Sequence, residues 1–490
     1  MPKIAFIGAG SAVFSKNIIA DILSHPALAD SEIVLVDIDT RRLDITLRLT
    51  QSINIQLGTN ARLRATIDRR KALAGADFVI SAIGVGGKDA IRTDLEIPLR
   101  FGLRQTVGDT LGIGGIFRSL RSVPVLLEIC RDMEELCPTA LLMNYSNPMA
   151  THVLAASRST SIKIVGLCHG IVHTAEVMSM LIALQRLPKS EIEAHFQKPW
   201  NSPERIAEWE RWLALGHDLE ATYTCAGINH MAVFTRFESK GVDFYPELRK
   251  AMETPHLLRL DPIRIELGRW LGYFITETSG HCAEYLPYFL KSEAESARTH
   301  LRICDYLQTI VDLDQATEQL DQNLSAGKPP ISTPYQRSVE YASGIINAVV
   351  TNDAYVFNGN VYNQGGRLVT NLAGDSCVEV PCVANAAGVT PTFAGEIPPQ
   401  VAALIATNIN VQDLTVRAIL ENSRDYVYQA AMVDPNTAAT LTLPKIKELV
   451  DAMFEAHESR LPKAMRFTGR MMYSALSEPC DHTSGLQNAA

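Results

Sequence analysis

Three segments with reactive or polar groups follow predicted strands in this sequence. A glycine loop at residues 84–87, an amide-rich segment at residues 144–148 and the tripeptide Cys168-His169-Gly170 each come directly after an apolar run. Cys and His are ligands for borderline divalent metals, and a Cys paired with a His can also act as a nucleophile. Adjacent Cys and His are often incidental, but ligands of open α/β sheets bind beyond the carboxyl ends of the strands. The pair at 168–169 is therefore predicted to belong to a functional site.

Two further segments carry candidate functional residues. Gly227–His230 follows a strand-like stretch at residues 221–226, and His230 lies 62 residues after Cys168, so joint metal ligation would depend on tertiary structure. Residues 107–115 contain too many glycines for a helix and carry Asp109 at their centre. This second segment is predicted to be either a flexible connection or a lid that carries Asp109 to a substrate.

The glycines after the first predicted strand indicate a dinucleotide site. A GxG sequence lies between this strand and a helix, where a pyrophosphate can approach backbone amides, although Val13 replaces the third glycine of the usual fingerprint. Asp37, at the end of the second strand, can accept hydrogen bonds from a ribose and would repel a 2′-phosphate, which favours NAD over NADP. The residues assigned to cofactor binding are Gly8, Gly10, Ser11, Asp37 and Gly84.

Apolar strands that alternate with amphipathic helices are predicted to position these residues. The strands of the first half are predicted at Lys3–Ile7, Glu32–Val36, Asp77–Ala82, Ala140–Asn144 and Ile162–Leu167. Continuous apolar strands separated by helices imply a parallel sheet that is covered on both faces. The predicted fold class is therefore α/β, with an N-terminal doubly wound, Rossmann-like parallel sheet.

The clean alternation stops near residue 175. Residues 188–220 are predicted to form a polar helical excursion, and Trp209 and Trp212 within it are expected to pack a helix onto its neighbour. Trp200 also lies in this excursion. The remaining chain mixes helices and short strands without internal repeats. We predict an NAD-binding domain over residues 1–175, and an α+β domain over residues 176–490 for substrate binding, metal binding and oligomerisation.

The composition argues against several classes of protein. The chain has 45 Lys and Arg against 54 Asp and Glu, a net charge of −9, and no basic run that would bind nucleic acid. No apolar stretch approaches the ~18 residues that span a bilayer, and the N-terminus begins a strand without an apolar signal, so a cytoplasmic protein is expected. The nine cysteines are scattered without a CxxC pair, which argues against a disulfide scaffold or a zinc cluster.

Several motifs together resemble glycoside hydrolase family 4, especially its melibiase-type α-galactosidase branch. The correspondence runs from residue 1 to about residue 460 and includes IGAGSAVF at 7–14, DTLGIGGIFRSLRS at 109–122, NYSNPM at 144–149, GLCHG at 166–170, AGINHM at 226–231 and INAVVT at 346–351. Family 4 is an NAD-dependent exception to the two-carboxylate rule of glycoside hydrolysis. The resemblance implies an NAD⁺- and Mn²⁺-dependent α-glycosidase that acts on small α-linked galactosides.

The resemblance also implies a reaction that combines oxidation with elimination. NAD⁺ would take a hydride from C3 of the glycone, and the resulting ketone would acidify the proton on C2. A base would then remove this proton, the C1–O bond would break, water would add and the hydride would return. A divalent metal, which the resemblance implies is Mn²⁺, would hold the C2 and C3 oxygens. Carried over residue by residue, Cys168 and His230 match the metal ligands.

The remaining roles also come from the resemblance. Asn147 matches the amide that contacts glycone hydroxyls, with His169 as a second substrate contact. Tyr285, in the sequence HCAEY at 281–285, matches the base that acts on C2. Asp109 is preferred over His169 as the acid that protonates the leaving group.

The sequence departs from the melibiase-type pattern in two places, so the identity of the sugar that the enzyme would release stays open. Gly170 follows the Cys-His pair where melibiase-type members have Ser, a pattern associated with the α-glucosidase and α-glucuronidase branches, and the excursion at 188–220 is longer than expected. The same-family alternative is an α-glucosidase, an α-glucuronidase or an α-galacturonidase. An NAD-dependent sugar or hydroxy-acid dehydrogenase is the alternative from another class, and it would release NADH at each turnover. A homodimer or homotetramer is expected.

Overall fold

The computed structural model describes residues 1–199 and 202–466, and within them twelve strands form one sheet. The strands are β1 (Lys3–Ile7), β2 (Glu32–Val36), β3 (Arg62–Thr66), β4 (Phe78–Ser81), β5 (Leu141–Asn144), β6 (Lys163–Gly166), β7 (Thr222–Ile228), β8 (Met231–Ser239), β9 (Val242–Asp243), β10 (Tyr355–Tyr362), β11 (Cys377–Asn385) and β12 (Gly388–Pro391). Two short 3₁₀ helices cover Pro26–Leu28 and Glu458–Arg460.

The described residues also form twenty α-helices. Those of the first half are α1 (Ala12–Leu23), α2 (Thr40–Leu57), α3 (Arg69–Leu73), α4 (Gly87–Arg100), α5 (Gly112–Leu136), α6 (Met149–Ser159), α7 (Gly170–Leu184), α8 (Lys189–His195), α9 (Pro203–His217) and α10 (Tyr245–Glu253). The others are α11 (Pro262–Leu271), α12 (Ser279–Glu284), α13 (Glu293–Arg298), α14 (Asp305–Ser325), α15 (Ala342–Thr351), α16 (Pro399–Leu420), α17 (Arg424–Val433), α18 (Pro435–Thr440), α19 (Leu443–His457) and α20 (Lys463–Arg466).

The first six strands are parallel and stand in the order β3-β2-β1-β4-β5-β6. This order is that of the doubly wound dinucleotide-binding fold, so the predicted fold class is confirmed. β1, β2, β4 and β5 are almost wholly buried, which explains why their apolar runs were visible in the sequence. The sequence reasoning missed β3, because this edge strand is partly exposed and its sequence RLRAT has no apolar run.

The sheet continues from its parallel part into an antiparallel part. β10 pairs antiparallel with β6 through Asn360 and Gly166, and β11, β7, β8 and β9 follow in that order. β10 has eight residues and β11 has nine, so both are longer than the short strands expected in this part of the chain. The domain boundary predicted near residue 175 falls within α7 and stays a prediction. Because β6 joins the antiparallel part directly, residues from both parts can meet at one edge of the sheet.

Helix α5 corrects the expectation that residues 107–115 are not helical. The helix begins at Gly112 and contains Gly114 and Gly115. A Cβ at Gly114 would lie 2.4 Å from the carbonyl oxygen of Gly108, and a Cβ at Gly115 would lie 2.5 Å from the carbonyl carbon of Thr110. Glycine therefore serves here to pack the first turn of the helix tightly against its own loop, and not to break the helix.

A second hydrophobic core lies around α7, separate from the core of the main sheet. Trp212 on α9 is fully buried in this second core, as its spacing predicted, whereas Trp209 is only partly buried against it. Trp200 lies outside the described residues. Among the described residues, none of the helices is both long and apolar enough to cross a membrane.

Candidate active site

A cavity of about 1080 Å³ lies beyond the carboxyl ends of β5 and β6. Asn147 reaches it from the loop after β5, and Cys168 and His169 reach it from the end of β6. The predicted residues Asp109 and His230 also line it, although they come from distant segments of the chain. The structure therefore brings five of the predicted site residues together at one edge of the sheet, where open α/β sheets bind ligands.

Three side chains in this cavity form a candidate metal site. One potential ligand atom each from Cys168, His230 and Glu277 lies within 4.8 Å of the other two, and the Cys168 Sγ atom is 3.4 Å from the His230 Nε2 atom. His230 lies in the tight turn between β7 and β8 with φ of 63°, a left-handed conformation that few non-glycine residues adopt. A thiol, an imidazole and a carboxylate together suit a borderline divalent cation.

Burial affects these ligands in opposite directions. It lowers the pKa of His230 to about 4, so this imidazole is neutral and can donate an electron pair to a metal. Burial also raises the pKa of the Cys168 thiol, and the negative charges of Glu277 and Glu379 raise it further. Such a thiol keeps its proton until a cation displaces it, so metal binding here is linked to proton release.

The loop that carries Asp109 is held in place by hydrogen bonds. The buried Glu284 carboxylate accepts bonds from the amides of Thr106, Val107 and Gly108 at distances of 2.6 to 3.0 Å. Asp109 itself is buried, with an exposed fraction of 5 %. In this structure the loop therefore resembles a fixed wall of the cavity more than a flexible connection.

Asp109 is linked to both the predicted amide and the predicted metal site. Its Oδ2 atom accepts a hydrogen bond of 2.9 Å from the Asn147 side-chain amide, and its Oδ1 atom accepts one of 2.6 Å from the Thr110 hydroxyl. The same hydroxyl lies 3.3 Å from Nδ1 of His230. Burial alone would raise the pKa of Asp109, but the adjacent His281 outweighs burial and lowers it, so the carboxylate is ionised.

Glu277 and His281 are the site residues that sequence reasoning missed. The Nδ1 atom of His281 lies 2.9 Å from a Glu277 carboxylate oxygen, and its Nε2 atom lies 3.5 Å from an Asp109 oxygen. Burial would lower the pKa of His281, but Glu277 and Asp109 raise it well above its ordinary value. The sequence feature that could have revealed them is the polar run from Thr276 to His281, which follows the apolar pair Phe274-Ile275.

His169 differs from His230 because it has a carboxylate partner. Its Nδ1 atom lies 2.7 Å from an oxygen of Glu340, whose side chain is almost buried, whereas the His169 side chain is 42 % exposed in the cavity. The hydrogen bond to Glu340 raises the pKa of His169 despite partial burial. This imidazole therefore holds a proton more readily than an ordinary histidine.

Tyr285 lies behind the cavity in the core. Its ring is fully buried, and its hydroxyl donates a 3.0 Å hydrogen bond to the carbonyl oxygen of Asn229, next to His230 in the β7–β8 turn. Burial raises the pKa of this hydroxyl well above its ordinary value. In this position Tyr285 supports the turn that carries a metal ligand, and its role as the C2 base stays a prediction.

The predicted cofactor residues lie at the ends of β1, β2 and β4. A Cβ at Gly8 would lie 2.5 Å from the carbonyl oxygen of Ala82, and the amide of Gly10 donates a 2.7 Å hydrogen bond to Asp37. Ser11 is exposed immediately before α1, and Gly84 is exposed between β4 and α4. These close backbone approaches fit a pyrophosphate-binding turn, although the individual roles stay predictions. Phe14 of α1, the helix that follows this turn, also lines the cavity.

Comparisons with known proteins agree with this geometry. The family model described as Family 4 glycosyl hydrolase matches residues 3–184, and that of the Family 4 glycosyl hydrolase C-terminal domain matches residues 225–437. An α-galactosidase of Bacillus subtilis is 41% identical over 467 residues, which cover 94% of this chain and 100% of that protein. An α-galactosidase of Rhizobium meliloti is 33% identical, with coverages of 94% and 89%.

A solved structure also has a similar fold. It is a 6-phospho-α-glucosidase from gut microorganisms in complex with NAD and Mn²⁺, with a TM-score of 0.71, 19% sequence identity, and coverages of 94% of this chain and 98% of that chain. At this identity the likeness concerns the fold alone. The two family matches together span more than half of the chain and include the parallel strands, the Cys168 segment and the His230 turn. The chain therefore belongs to family 4 of the glycosyl hydrolases.

Proposed function

We propose that this protein is an α-galactosidase that depends on NAD⁺ and on a divalent metal, with Mn²⁺ as the first candidate. The observation that carries the proposal is the cluster of Cys168, His230 and Glu277 beside an ionised Asp109 and a proton-holding His169. The two α-galactosidases that share at least 33% of their residues with this chain favour galactose over glucose or a uronic acid.

Cys168, His230 and Glu277 would hold the metal. Their sulfur, nitrogen and oxygen atoms fit a borderline cation, and the neutral state of His230 leaves its nitrogen available. When bound, such a cation polarises substrate oxygens and stabilises negative charge that develops on them. The 6-phospho-α-glucosidase of similar fold, which was crystallised with NAD and Mn²⁺, supports the choice of manganese.

The turn after β1 would hold NAD⁺. The close backbone approaches at Gly8 and Gly10 would leave room for a pyrophosphate, Ser11 and Gly84 would flank it, and Asp37 would face the ribose. When bound, the nicotinamide accepts a hydride from the sugar and returns it later in the cycle. In the structure, Asp37 accepts hydrogen bonds from the Gly10 and Asp39 amides. These bonds fix its carboxylate beside the turn.

Asp109 and His169 have opposite charge states and would carry out the two proton transfers of the reaction. The ionised Asp109 is suited to accept the proton from C2, and His169, with its pKa raised by Glu340, is suited to protonate the leaving oxygen. Asn147 holds Asp109 through its amide and would contact the sugar hydroxyls. This assignment differs from the roles that the resemblance implies, in which Tyr285 is the base and Asp109 the preferred acid. Asp109 cannot be the acid here because an ionised carboxylate cannot donate a proton. Tyr285 remains the alternative base.

A panel of p-nitrophenyl α-glycosides tests this function. Wild-type protein with NAD⁺, Mn²⁺ and a thiol reductant should release nitrophenol fastest from the α-galactoside, with no net increase in NADH absorbance because the hydride returns. A preference for the α-glucoside or an α-hexuronide would move the assignment to another branch of the family. Stoichiometric NADH would instead identify a dehydrogenase.

Turnover in D₂O tests the elimination route and the base. Deuterium should appear at C2 of the released galactose, because the abstracted proton can exchange before it returns. Direct displacement at C1 would leave C2 unlabelled. Asp109→Asn should abolish exchange while NAD⁺ still binds, whereas Tyr285→Phe should retain exchange. Loss of exchange in the Tyr285 variant alone, with normal metal binding, would return the base role to Tyr285.

A further inference from the structure

The cavity extends from the metal cluster along one face of α7. His173, Glu176 and Val177 line it after His169, at the spacing of one helical face. Glu176 lies seven residues beyond His169, which at the rise of an α-helix is about 10 Å along the helix axis. This distance exceeds the length of a single sugar ring, so the cavity has room beyond the sugar that would occupy the metal site.

Helix α9, next to α7, forms a second wall of this extension. α9 packs tightly on α7, since a Cβ at Gly216 would lie 2.7 Å from the backbone nitrogen of Met180. Arg205, Trp209 and Leu213 repeat every four residues on α9 and line the cavity. Trp212 points instead into the core behind the helix. The two tryptophans of α9 therefore have different roles, and one of them faces the cavity.

Two arginines and a phenylalanine complete this wall. The Arg259 guanidinium lies 4.3 Å from the centroid of the Phe196 ring, and that of Arg205 lies 5.6 Å from the same centroid. Arg259 is exposed, and no carboxylate in the part of the chain that the structure describes lies within ion-pairing distance of it. Its N–H donors are therefore available on the cavity side of Phe196.

We propose that Phe196, Arg205, Trp209 and Arg259 form a leaving-group subsite that binds a second sugar ring. The proposal rests on the proposed glycosidase function and assigns the residues that would discriminate between leaving groups. A pyranose ring presents an apolar face that can lie on the Trp209 indole, and its hydroxyl oxygens can accept hydrogen bonds from the guanidinium of Arg259. An apolar wall with a few fixed donors is the usual composition of a small-molecule subsite.

Two substrates distinguish this subsite from the rest of the active site. The holoenzyme with NAD⁺ and Mn²⁺ is assayed on an α-1,6-linked galactosyl-glucose disaccharide and on methyl α-galactoside, which has no leaving ring. Trp209→Ala should lower the ratio of the two kcat/KM values by about tenfold, which corresponds to the loss of one aromatic contact. Trp209→Phe should restore most of the ratio. Trp270→Ala removes an 83 % exposed tryptophan on α11 and should leave the ratio unchanged.

Arg259→Ala provides a variant whose folding is not in question, because this side chain is exposed. It should lower the same ratio by about threefold, the loss of one hydrogen bond to a sugar hydroxyl. An unchanged ratio in both Trp209→Ala and Arg259→Ala, with wild-type thermal stability, would overturn the subsite. Equal losses on both substrates would also overturn it, since they would indicate a general defect.

Binding of the α-1,6-linked disaccharide to enzyme loaded with Mn²⁺ and NADH tests the subsite without turnover, because NADH cannot accept the hydride from C3. Calorimetry on this complex should give weaker binding of the disaccharide by Trp209→Ala and Arg259→Ala, and unchanged binding by Trp270→Ala. Equal affinity in all variants would overturn the proposal. If wild-type protein hydrolyses no α-galactoside, the proposed function fails, and the same binding series still decides whether this wall binds a saccharide.

Discussion

At the scale of single residues, burial and neighbouring charges set the protonation states of the candidate metal ligands and of the proposed proton-transfer groups. Burial and the adjacent His281 outweigh the nearby carboxylates of Glu277 and Asp109 and lower the pKa of His230 to about 4. His281 is buried between two carboxylates, and its pKa rises. Cys168 is buried near carboxylates, which disfavour its thiolate. Neighbouring charges therefore decide whether each group is a neutral ligand, a cationic bridge or a protonated thiol.

We expect Cys168→Ser to weaken Mn²⁺ binding by at least about tenfold, because a serine hydroxyl is a poorer ligand than a thiolate. Equilibrium dialysis of the purified variant against Mn²⁺ measures this change. Cys304→Ser is the matched control, since Cys304 is half-buried and lies outside the cluster. Full activity of Cys168→Ser after exhaustive chelation would contradict the metal assignment.

A second expectation concerns the proton on His169. Glu340 raises the pKa of His169 through a hydrogen bond, so Glu340→Gln should lower this pKa. If protonated His169 is the active form, the alkaline limb of the kcat/KM profile should move to lower pH, because the proton is lost earlier. Glu253→Gln, which removes a surface carboxylate paired with Arg269, is the control. An alkaline limb that stays in place would exclude His169 as the acid.

Glu379 makes the stability of the fold depend on pH. Burial raises the pKa of this carboxyl from 4.5 to about 8, against the hydrogen bond from Asn360. Its contribution to stability is therefore fully present below the ordinary pKa and is lost as the pH rises through about 8. Relative to Glu379→Gln, wild-type protein should lose on the order of 5 kcal/mol of unfolding free energy between the two pKa values. Denaturant unfolding at several pH values measures it, and parallel profiles would contradict it.

At the scale of elements, α14 connects the nucleotide end with the substrate cavity. Tyr306 in its first turn lines the cavity, and Leu320 and Leu324 near its end pack against α1 and α2. Asp314 in its middle pairs with Arg42 of α2, which lies beside Gly10, and with Lys88 in the first turn of α4. The helix thus neutralises two cations close to the predicted cofactor turn.

We expect Asp314→Asn to raise NADP⁺ affinity relative to NAD⁺ by up to about fivefold, because Arg42 and Lys88 would then be available to a 2′-phosphate. Fluorescence titration with both cofactors measures the ratio. Asp321→Asn is the matched control, since it breaks the pair of α14 with Arg48 farther along the same helix. An equal change in both variants would point to loosening of α14 and not to the released charges.

At the scale of the whole molecule, the candidate metal ligands come from the two different parts of the sheet. Cys168 ends β6 in the parallel part, whereas His230 belongs to the β7–β8 hairpin in the antiparallel part. β10 and β11 lie between them in the sheet. A cation held by both residues would therefore link segments that separate when the chain unfolds.

We expect Mn²⁺ to raise the unfolding temperature of the wild-type protein. A ligand that binds only the folded state at a hundredfold excess over its Kd contributes about 2.7 kcal/mol. Calorimetric scans with Mn²⁺ and after chelation measure the effect, and His230→Ala should reduce it. An unchanged unfolding temperature in saturating Mn²⁺ would mean that the cluster does not hold the ion.

Local patterns were sufficient for much of the fold and for part of the site. The strands β1, β2, β4, β5 and β6 were predictable because each is a short apolar run that ends in a polar or glycine-rich turn. The position of Cys168 at such an end made it a site candidate for the same reason. β3 was not predictable, since its charged edge sequence has no apolar pattern. The helical start at Gly112 was also hidden, because its glycines serve a contact that only folding creates.

Other features depended on tertiary structure alone. Glu277 lies 109 residues after Cys168, and no spacing rule relates a ligand on one strand end to a carboxylate in a loop so far along the chain. Tyr285 follows closely in sequence but lies in the core, because α12 turns it toward the His230 hairpin and away from the cavity. The sequence by itself determined the doubly wound sheet and the thiol at its edge, since both arise from local periodicity. The partners of that thiol and their charges were decided by packing, since pKa values depend on burial and on neighbours distant in sequence.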